Sequence, residues 1–235
     1  MKKILFEIGR IPAVLYGEES DRLFLYLHGQ GGSKEEALGF AERACAKGYQ
    51  VLSIDFPMHG GRKDGAAFVP WEVEPELMDV LAWSRERWER ISIRAVSIGV
   101  WFSLCAYQKE RFACCLYSSP LLDMDTMITG MMHMHGVDEK TLQAKQEIIC
   151  ADGTVLSWRY LMYAKQHPVH ALSDHTHILY PEKDELIPYD TVYRFADENR
   201  CTLDHAEGAH HWIHLKKEVE LLHAWEDRYL QRCGG

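Results

Sequence analysis

The sequence has no apolar run approaching the roughly 18 residues that a membrane-spanning helix needs, so no membrane partner is expected. Near the start, Glu7 and Arg10 fall inside what would have to be the apolar core of a signal peptide, which makes a cytoplasmic protein the expectation. Positive charge is in short supply. The 26 Lys plus Arg against 35 Asp plus Glu leave a formal charge of −9, which argues against a nucleic-acid partner. There is no Cys-x-x-Cys pair, so structural zinc and dithiol redox motifs have no support. The seven cysteines are scattered through a chain too large to need staples. Cys105, Cys114 and Cys115 lie in apolar stretches, where a free thiol acts as a small hydrophobe. Repeats and low-complexity segments are also missing. With 47% hydrophobic and 26% charged residues, the composition excludes disordered, collagen-like and coiled-coil chains. At about 150 residues per domain, 235 residues make one or two domains.

What is present is an alternation of short apolar runs and amphipathic ones. Residues 23–27 are continuously apolar, as in a strand buried on both faces, and end in the turn His28-Gly29-Gln30-Gly31-Gly32. Ser33 and Glu36 have the spacing of a capping box, which predicts a helix from there to about Lys47, stopped by Gly48. Residues 50–54 read as a second buried strand, followed by a loop from Asp55 to Arg62. Pro75 is suited to a first helical turn and predicts a helix to about Arg90. Strands follow at 91–96, 112–117, 177–180 and 201–205. Helices are expected at 99–110, 189–199 and 216–230, the last with Val219, Leu222 and Trp225 on one face. Such alternation predicts an α/β fold with a mostly parallel central sheet and helices on both faces.

Residues 121–172 break the rhythm. They contain Met124, Met127, Met131, Met132 and Met134 but no buried strand. They are read as a helical cap insertion over the carboxyl edge of the sheet, where open α/β sheets bind ligands. Residues 1–120 and 173–235 would then form the core. The plainer alternative is a pair of packing helices in which methionines fill gaps.

The sharpest chemical signal is Ala95-Val96-Ser97-Ile98-Gly99, between a predicted strand and a predicted helix. A nucleophile on so tight a turn is forced into a strained conformation, and its neighbours must be nearly free of side chain. The turn aims a hydroxyl over the sheet and leaves the next N–H at a helix N-terminus, suited to an oxyanion. A second N–H is available in principle from the open backbone of residues 28–32. Past the strand at 177–180 stands a carboxylate cluster, Glu182, Asp184, Glu185 and Asp190. A carboxylate there can reach a histidine on a neighbouring loop and hold its tautomer. His210, His211 and His214 lie close together. His210 and His214 have the four-residue spacing of a helical metal pair, and His133, His135, His175 and His177 recur nearby. No His-Glu-x-x-His is present, so no metal is expected.

On these motifs the chain resembles the α/β-hydrolase superfamily, in particular small bacterial serine esterases and related acyl hydrolases. The resemblance spans most of residues 20–120 and 175–230. It implies an elbow with Ser97 as nucleophile and a His-Gly-x-x-Gly turn, so that the oxyanion donors would be the N–H groups of Gln30 and Ile98. The family order of nucleophile, acid and histidine implies Asp184 as acid. The match of residues 207–214 to the family's histidine loop implies His211 as base, with His210 as the alternative. The segment from Asp55 to Arg62 matches a loop that shapes the pocket mouth, without a proton-transfer role for His59. His28 is expected as a buried imidazole bonded to loop backbone. Ala95 departs from the usual first glycine, and Val100 and Trp101 add bulk behind the elbow.

The implied function is cleavage of carboxylic esters, short-to-medium acyl or aromatic, by a Ser-His-Asp triad. A small-molecule ester is the one partner, and no cofactor is needed. A peptidase or amidase, a thioesterase, and a non-catalytic binding protein on the same scaffold are the alternatives.

Overall fold

In the computed structural model, which describes residues 1–233, the continuous apolar run at 23–27 is divided between two faces of a sheet. Leu23, Leu25 and Leu27 enter one apolar cluster, while Phe24 and Tyr26 enter another on the opposite side. A strand buried on both faces needs no polar alternation, and this one has none.

The chain opens with a hairpin of β1 (Lys3–Ile8) and β2 (Ile11–Tyr16). Then come β3 (Arg22–Leu27), a 3-10 turn (Lys34–Ala37), α1 (Leu38–Ala46) and β4 (Gln50–Ile54). Next are α2 (Pro70–Arg85), β5 (Arg90–Val96), α3 (Ile98–Ala106) and β6 (Cys115–Ser118). The intervening segment holds α4 (Met124–Met134), α5 (Glu139–Lys145), the small pair β7 (Glu147–Ile149) and β8 (Val155–Ser157), and α6 (Trp158–Gln166). The chain closes with β9 (Thr176–Lys183), α7 (Tyr189–Glu198), β10 (Thr202–His210) and α8 (Lys216–Arg232). The main sheet runs β1-β2-β4-β3-β5-β6-β9-β10. It is parallel from β4 to β10, and β2 is antiparallel to both of its neighbours.

One face of the sheet packs on α1 and α8 through Phe40, Ala41, Trp225 and Tyr229. The other packs on α2, α3, α7 and the intervening segment. Arg94 of β5 crosses to α8, where its Nε lies 3.0 Å from Glu226 Oε1, and both side chains are buried. The intervening segment shares the second face's apolar core. Trp101 of α3 is 1% exposed and packs its ring 5.8 Å from Tyr160 and 6.3 Å from Tyr163 of α6. The bulk expected behind the elbow is therefore the seat of this segment. Among the described residues, no helix is long and apolar enough to cross a membrane.

Several local expectations need correction. Ser33 makes no side-chain capping bond. The Glu36 N–H that it would cap donates to the Ser33 carbonyl at 3.1 Å, and the Lys34 N–H is held by Asp55 Oδ1 at 2.7 Å, from the loop after β4. The second helix opens on Pro70, with Pro75 inside it and its ring exposed to solvent. The hairpin at the start was not foreseen, because β1 is an exposed edge strand and Pro12 in β2 hides the pattern. Its turn is legible in hindsight, since Gly9 takes the positive φ (59°) that a tight two-residue turn requires. Cys114, expected as a free apolar thiol, is bonded to Cys233, 119 residues away. The end of α8 brings the two Cα atoms to 5.8 Å, which no sequence spacing announces.

Candidate active site

Ser97 sits between β5 and α3 with φ 50° and ψ −121°, a conformation that L residues rarely adopt. The turn is possible because its neighbours are small. Ala95 is fully buried, and a Cβ on Gly99 would lie 2.5 Å from the His28 carbonyl oxygen and 2.7 Å from that of Leu27. The Ser97 N–H donates to the Ser118 carbonyl at 3.2 Å, and the Ser97 carbonyl accepts from Leu121 at 3.2 Å. The turn is thus pinned to the end of β6.

Three of the expected side chains meet. Ser97 Oγ is 2.8 Å from His211 Nε2, and His211 Nδ1 is 2.8 Å from Asp184 Oδ2. An ionised carboxylate only accepts, so Nδ1 carries the proton and Nε2 is left to accept from the serine hydroxyl. The Asp184 side chain has no exposed surface, and that of His211 is 10% exposed. The other oxygen of Asp184 accepts from the N–H groups of Leu186 and Ile187, at 2.9 and 2.8 Å, which fixes the carboxylate.

The neighbouring candidates do other work. Glu182 accepts from the Gly208 N–H at 3.1 Å and Glu185 from the His211 N–H at 3.3 Å, so both hold the histidine loop by its backbone. Asp190 lies in the first turn of α7. His210 is engaged elsewhere, with Nδ1 2.8 Å from Glu218 Oε1. His210 ends β10 and the His214 Nδ1 lies 2.7 Å from the Trp212 carbonyl, so these two form no helical metal pair. Among the described residues, the one group of three metal-type donors close enough to share an ion is Cys114, His177 and Cys233, away from this cleft.

Two residues escaped the sequence reading. Glu218, in the first turn of α8, gathers the loop by accepting from the N–H groups of His210 (3.3 Å), His214 (3.2 Å) and Leu215 (3.2 Å). Its hydrogen bond to His210, reinforced by those N–H groups, holds its carboxyl down to about 2. With leucine rather than a capping residue at 215, the available signal was only an acidic residue in the first turn of an apolar-faced helix. Ser119 also has a positive φ (47°) and donates from Oγ to the His211 carbonyl at 2.8 Å. Nothing in its sequence context marks it.

The Gln30 and Ile98 backbones border the same serine. Ile98 is the first residue of α3, so its N–H has no intrahelical partner. Gly29, next to Gln30, lies so close that a Cβ on it would stand 3.4 Å from Ser97 Cβ. His28 is wholly buried, its Nδ1 2.8 Å from the Gly29 carbonyl and its Nε2 accepting from the Phe56 N–H at 3.2 Å. Burial pushes this imidazole down to about 4. The loop beneath is tied by Asp55, which accepts from Lys34 Nζ and the Gly61 N–H, both at 2.8 Å. Burial alone would raise the Asp55 carboxyl, but these donors hold it below the usual carboxylate range. His59 is bonded to the Pro57 carbonyl at 2.8 Å and packs on Phe68, outside the Ser97 chain.

A cleft of about 580 Å³ opens over Ser97, lined by Gln30, His211, Trp212, Ile213 and Leu186 among others. Leu186 also lines a neighbouring apolar cavity of about 350 Å³, whose walls include Leu121, Met127, Met131 and Met134.

This sheet order, with a serine on the turn after β5 and a histidine loop after β10, is the α/β-hydrolase fold. Over 99% of both chains, the structure is similar to the mouse alpha/beta hydrolase domain-containing protein 10, at 14% identity and a TM-score of 0.74. It is similar to Est1E from Butyrivibrio proteoclasticus at 18% identity and a TM-score of 0.76, covering 99% of each chain. Another structure of Est1E, with ferulic acid bound, matches at 17% identity and a TM-score of 0.73 over 97% of this chain and 98% of that one. The Pyrococcus furiosus esterase Pf2001 matches at 18% identity and a TM-score of 0.67 over 98% and 90% of the two chains. No family model and no curated protein sequence matches the chain.

Proposed function

We propose that this protein is a serine hydrolase that cleaves carboxylic esters through an acyl-enzyme. The observation that carries the reading is the hydrogen-bonded chain from Ser97 through His211 to Asp184, ending on a strained turn that faces a cleft. Ser97 Oγ attacks the ester carbonyl while His211 Nε2 takes its proton. The tetrahedral oxyanion is stabilised by the N–H groups of Gln30 and Ile98, each worth about 3 kcal/mol in such sites. His211 then gives the proton to the leaving alcohol, and Asp184 holds the imidazolium. Water repeats the sequence on the acyl-enzyme, with His211 again as base. The chemistry requires no cofactor.

Residues 121–172 are proposed as a cap whose α4 supplies the apolar wall for a short-to-medium acyl or aromatic group. The methionine-lined cavity beside the cleft supports this, as does the ferulic acid bound by Est1E. Hydrolysis of p-nitrophenyl esters from acetate to decanoate, with Ser97→Ala in parallel, tests the reading. Turnover should peak at short or medium chain length and fall about 10⁴-fold or more in the variant. Equal turnover by both proteins would overturn the nucleophile assignment, and no turnover by folded wild type would overturn ester hydrolysis.

A further inference from the structure

A second cluster of reactive side chains lies at the other end of the sheet. Ser97 follows the carboxyl end of β5, whereas Cys114 immediately precedes β6 and His177 is the second residue of β9, strands parallel to β5. Cys233 ends α8 and comes against them. Cys114 is fully buried, Cys233 is 7% exposed and His177 8%. One ligand atom from each, two sulfurs and an imidazole nitrogen, lie within 4.8 Å of one another.

His177 supplies the independent indication of a ligand. Its Nδ1 is buried and has no hydrogen-bond partner, although its ring is held by stacking on Tyr229 at 3.8 Å between centroids. Asp204, the neighbouring carboxylate, is occupied by Tyr229, Trp225 and Arg228. A buried ring nitrogen left without a partner is costly in a folded chain and calls for an explanation.

We propose that, when the Cys114–Cys233 bond is reduced, the two thiolates and His177 Nδ1 bind zinc as a Cys₂His site that pins the end of α8 to the sheet. Two thiolates and an imidazole are the donors that a borderline-soft d¹⁰ cation prefers over hard cations such as magnesium or calcium. A dithiol reductant opens the bond. The S–S link breaks, the two sulfurs take up two electrons and two protons, and the reductant closes into its own disulfide. Zinc then displaces both thiol protons; two S–Zn bonds and one N–Zn bond form, and water fills the fourth position. Thiolates each about 2.3 Å from one ion stand about 3.8 Å apart. Cys α-carbons 5.8 Å apart accommodate that spacing. Because both states use the same sulfurs, the bridged chain and the zinc-bound chain exclude one another.

The test uses the full chain reduced with a phosphine, exchanged anaerobically and titrated with Co²⁺ as a coloured stand-in for zinc. Reduced wild type should develop tetrahedral ligand-field bands and a sulfur-to-cobalt charge-transfer band that saturate at one equivalent and bleach on adding Zn²⁺. The oxidised chain should show neither. Cys233→Ser should lose most of the charge-transfer intensity, and His177→Gln should lose the one-equivalent saturation. A reduced, folded wild type without the charge-transfer band would overturn the site. So would a band that persists unchanged in both variants or in the oxidised chain. None of these readouts depends on ester turnover.

Discussion

Ser97 and His211 are hydrogen-bonded neighbours, but they are positioned by different means. The serine is shaped first by its own stretch of chain, five consecutive residues with a positive φ and a glycine pressed against the end of β3, and two backbone hydrogen bonds to Ser118 and Leu121 pin that turn in place. The histidine lies in a loop that does not hold itself. Its ring is oriented by Asp184, its N–H by Glu185, its carbonyl by Ser119, and the flanking N–H groups by Glu182 and Glu218. Those groups come from the ends of β6 and β9 and from α8. A turn fixed by backbone sterics has few ways to be partly right, whereas a loop fixed by many separate hydrogen bonds can lose them one at a time. The elbow should therefore fail abruptly and the histidine loop by degrees.

The comparison can be broken by experiment. The largest effect expected on the loop side is that of Asp184→Asn. The change keeps the shape but lets Nδ1 face a donor, so the wrong tautomer forms and kcat for ester hydrolysis falls about 10⁴-fold. A loss below tenfold would mean that Asp184 does not set the tautomer. On the elbow side, Gly99→Ala drives a methyl into the carbonyl oxygens of His28 and Leu27, which are backbone and cannot step aside. Denaturant unfolding should show a loss of about 1–3 kcal/mol, with turnover falling as Ser97 shifts. Unchanged stability and rate would show that the turn yields to the added methyl.

Glu218→Gln sharpens the other half. Its folded carboxyl, at about 2, lies below the unfolded value of about 4.3, so its contribution to stability is complete above about pH 4.3 and lost as pH falls toward 2. Thermal unfolding of wild type and variant should differ by a constant amount at neutral pH, equivalent to about 1–3 kcal/mol, and converge on acidification. A gap that persists undiminished below pH 2 would remove the carboxylate from the account. At neutral pH, kcat should fall while KM holds, because the loop loses an anchor and the cleft keeps its walls. The smallest effect is expected of Ser119→Ala, which removes one hydrogen bond to the His211 carbonyl. It should cost about 1 kcal/mol and lower kcat several-fold. A loss as large as that of Asp184→Asn would assign Ser119 more than a positioning role.

What could be read in advance followed the same division. Ala95 to Gly99 carried their meaning in their own spacing, because a strand-turn-helix elbow is a local object. The apolar runs at 23–27 and 50–54 announced buried strands for the same reason. The loop was harder. Asp184 was selected among four carboxylates by resemblance and chain order, and only the folded chain shows Glu182 and Glu185 turned to backbone N–H groups and His210 turned to Glu218. Local signals also misled when a distant group intervened. The spacing of Ser33 and Glu36 predicted a side-chain cap, but no such bond forms, and Asp55 from the loop after β4 holds the neighbouring Lys34 N–H.

The sequence by itself determined the alternation of strand and helix, the two apolar faces and the serine turn, since each depends on residues within a few positions of one another. Only the tertiary structure decided which carboxylate meets His211, what anchors its loop, that Trp101 seats α6, and that Cys114 meets Cys233. Apart from the bonds of Glu218, those pairings join residues from 26 to 119 positions apart. Side chains that far apart in sequence are neighbours only through the order in which the sheet lays its strands, and spacing along the chain carries no record of that order.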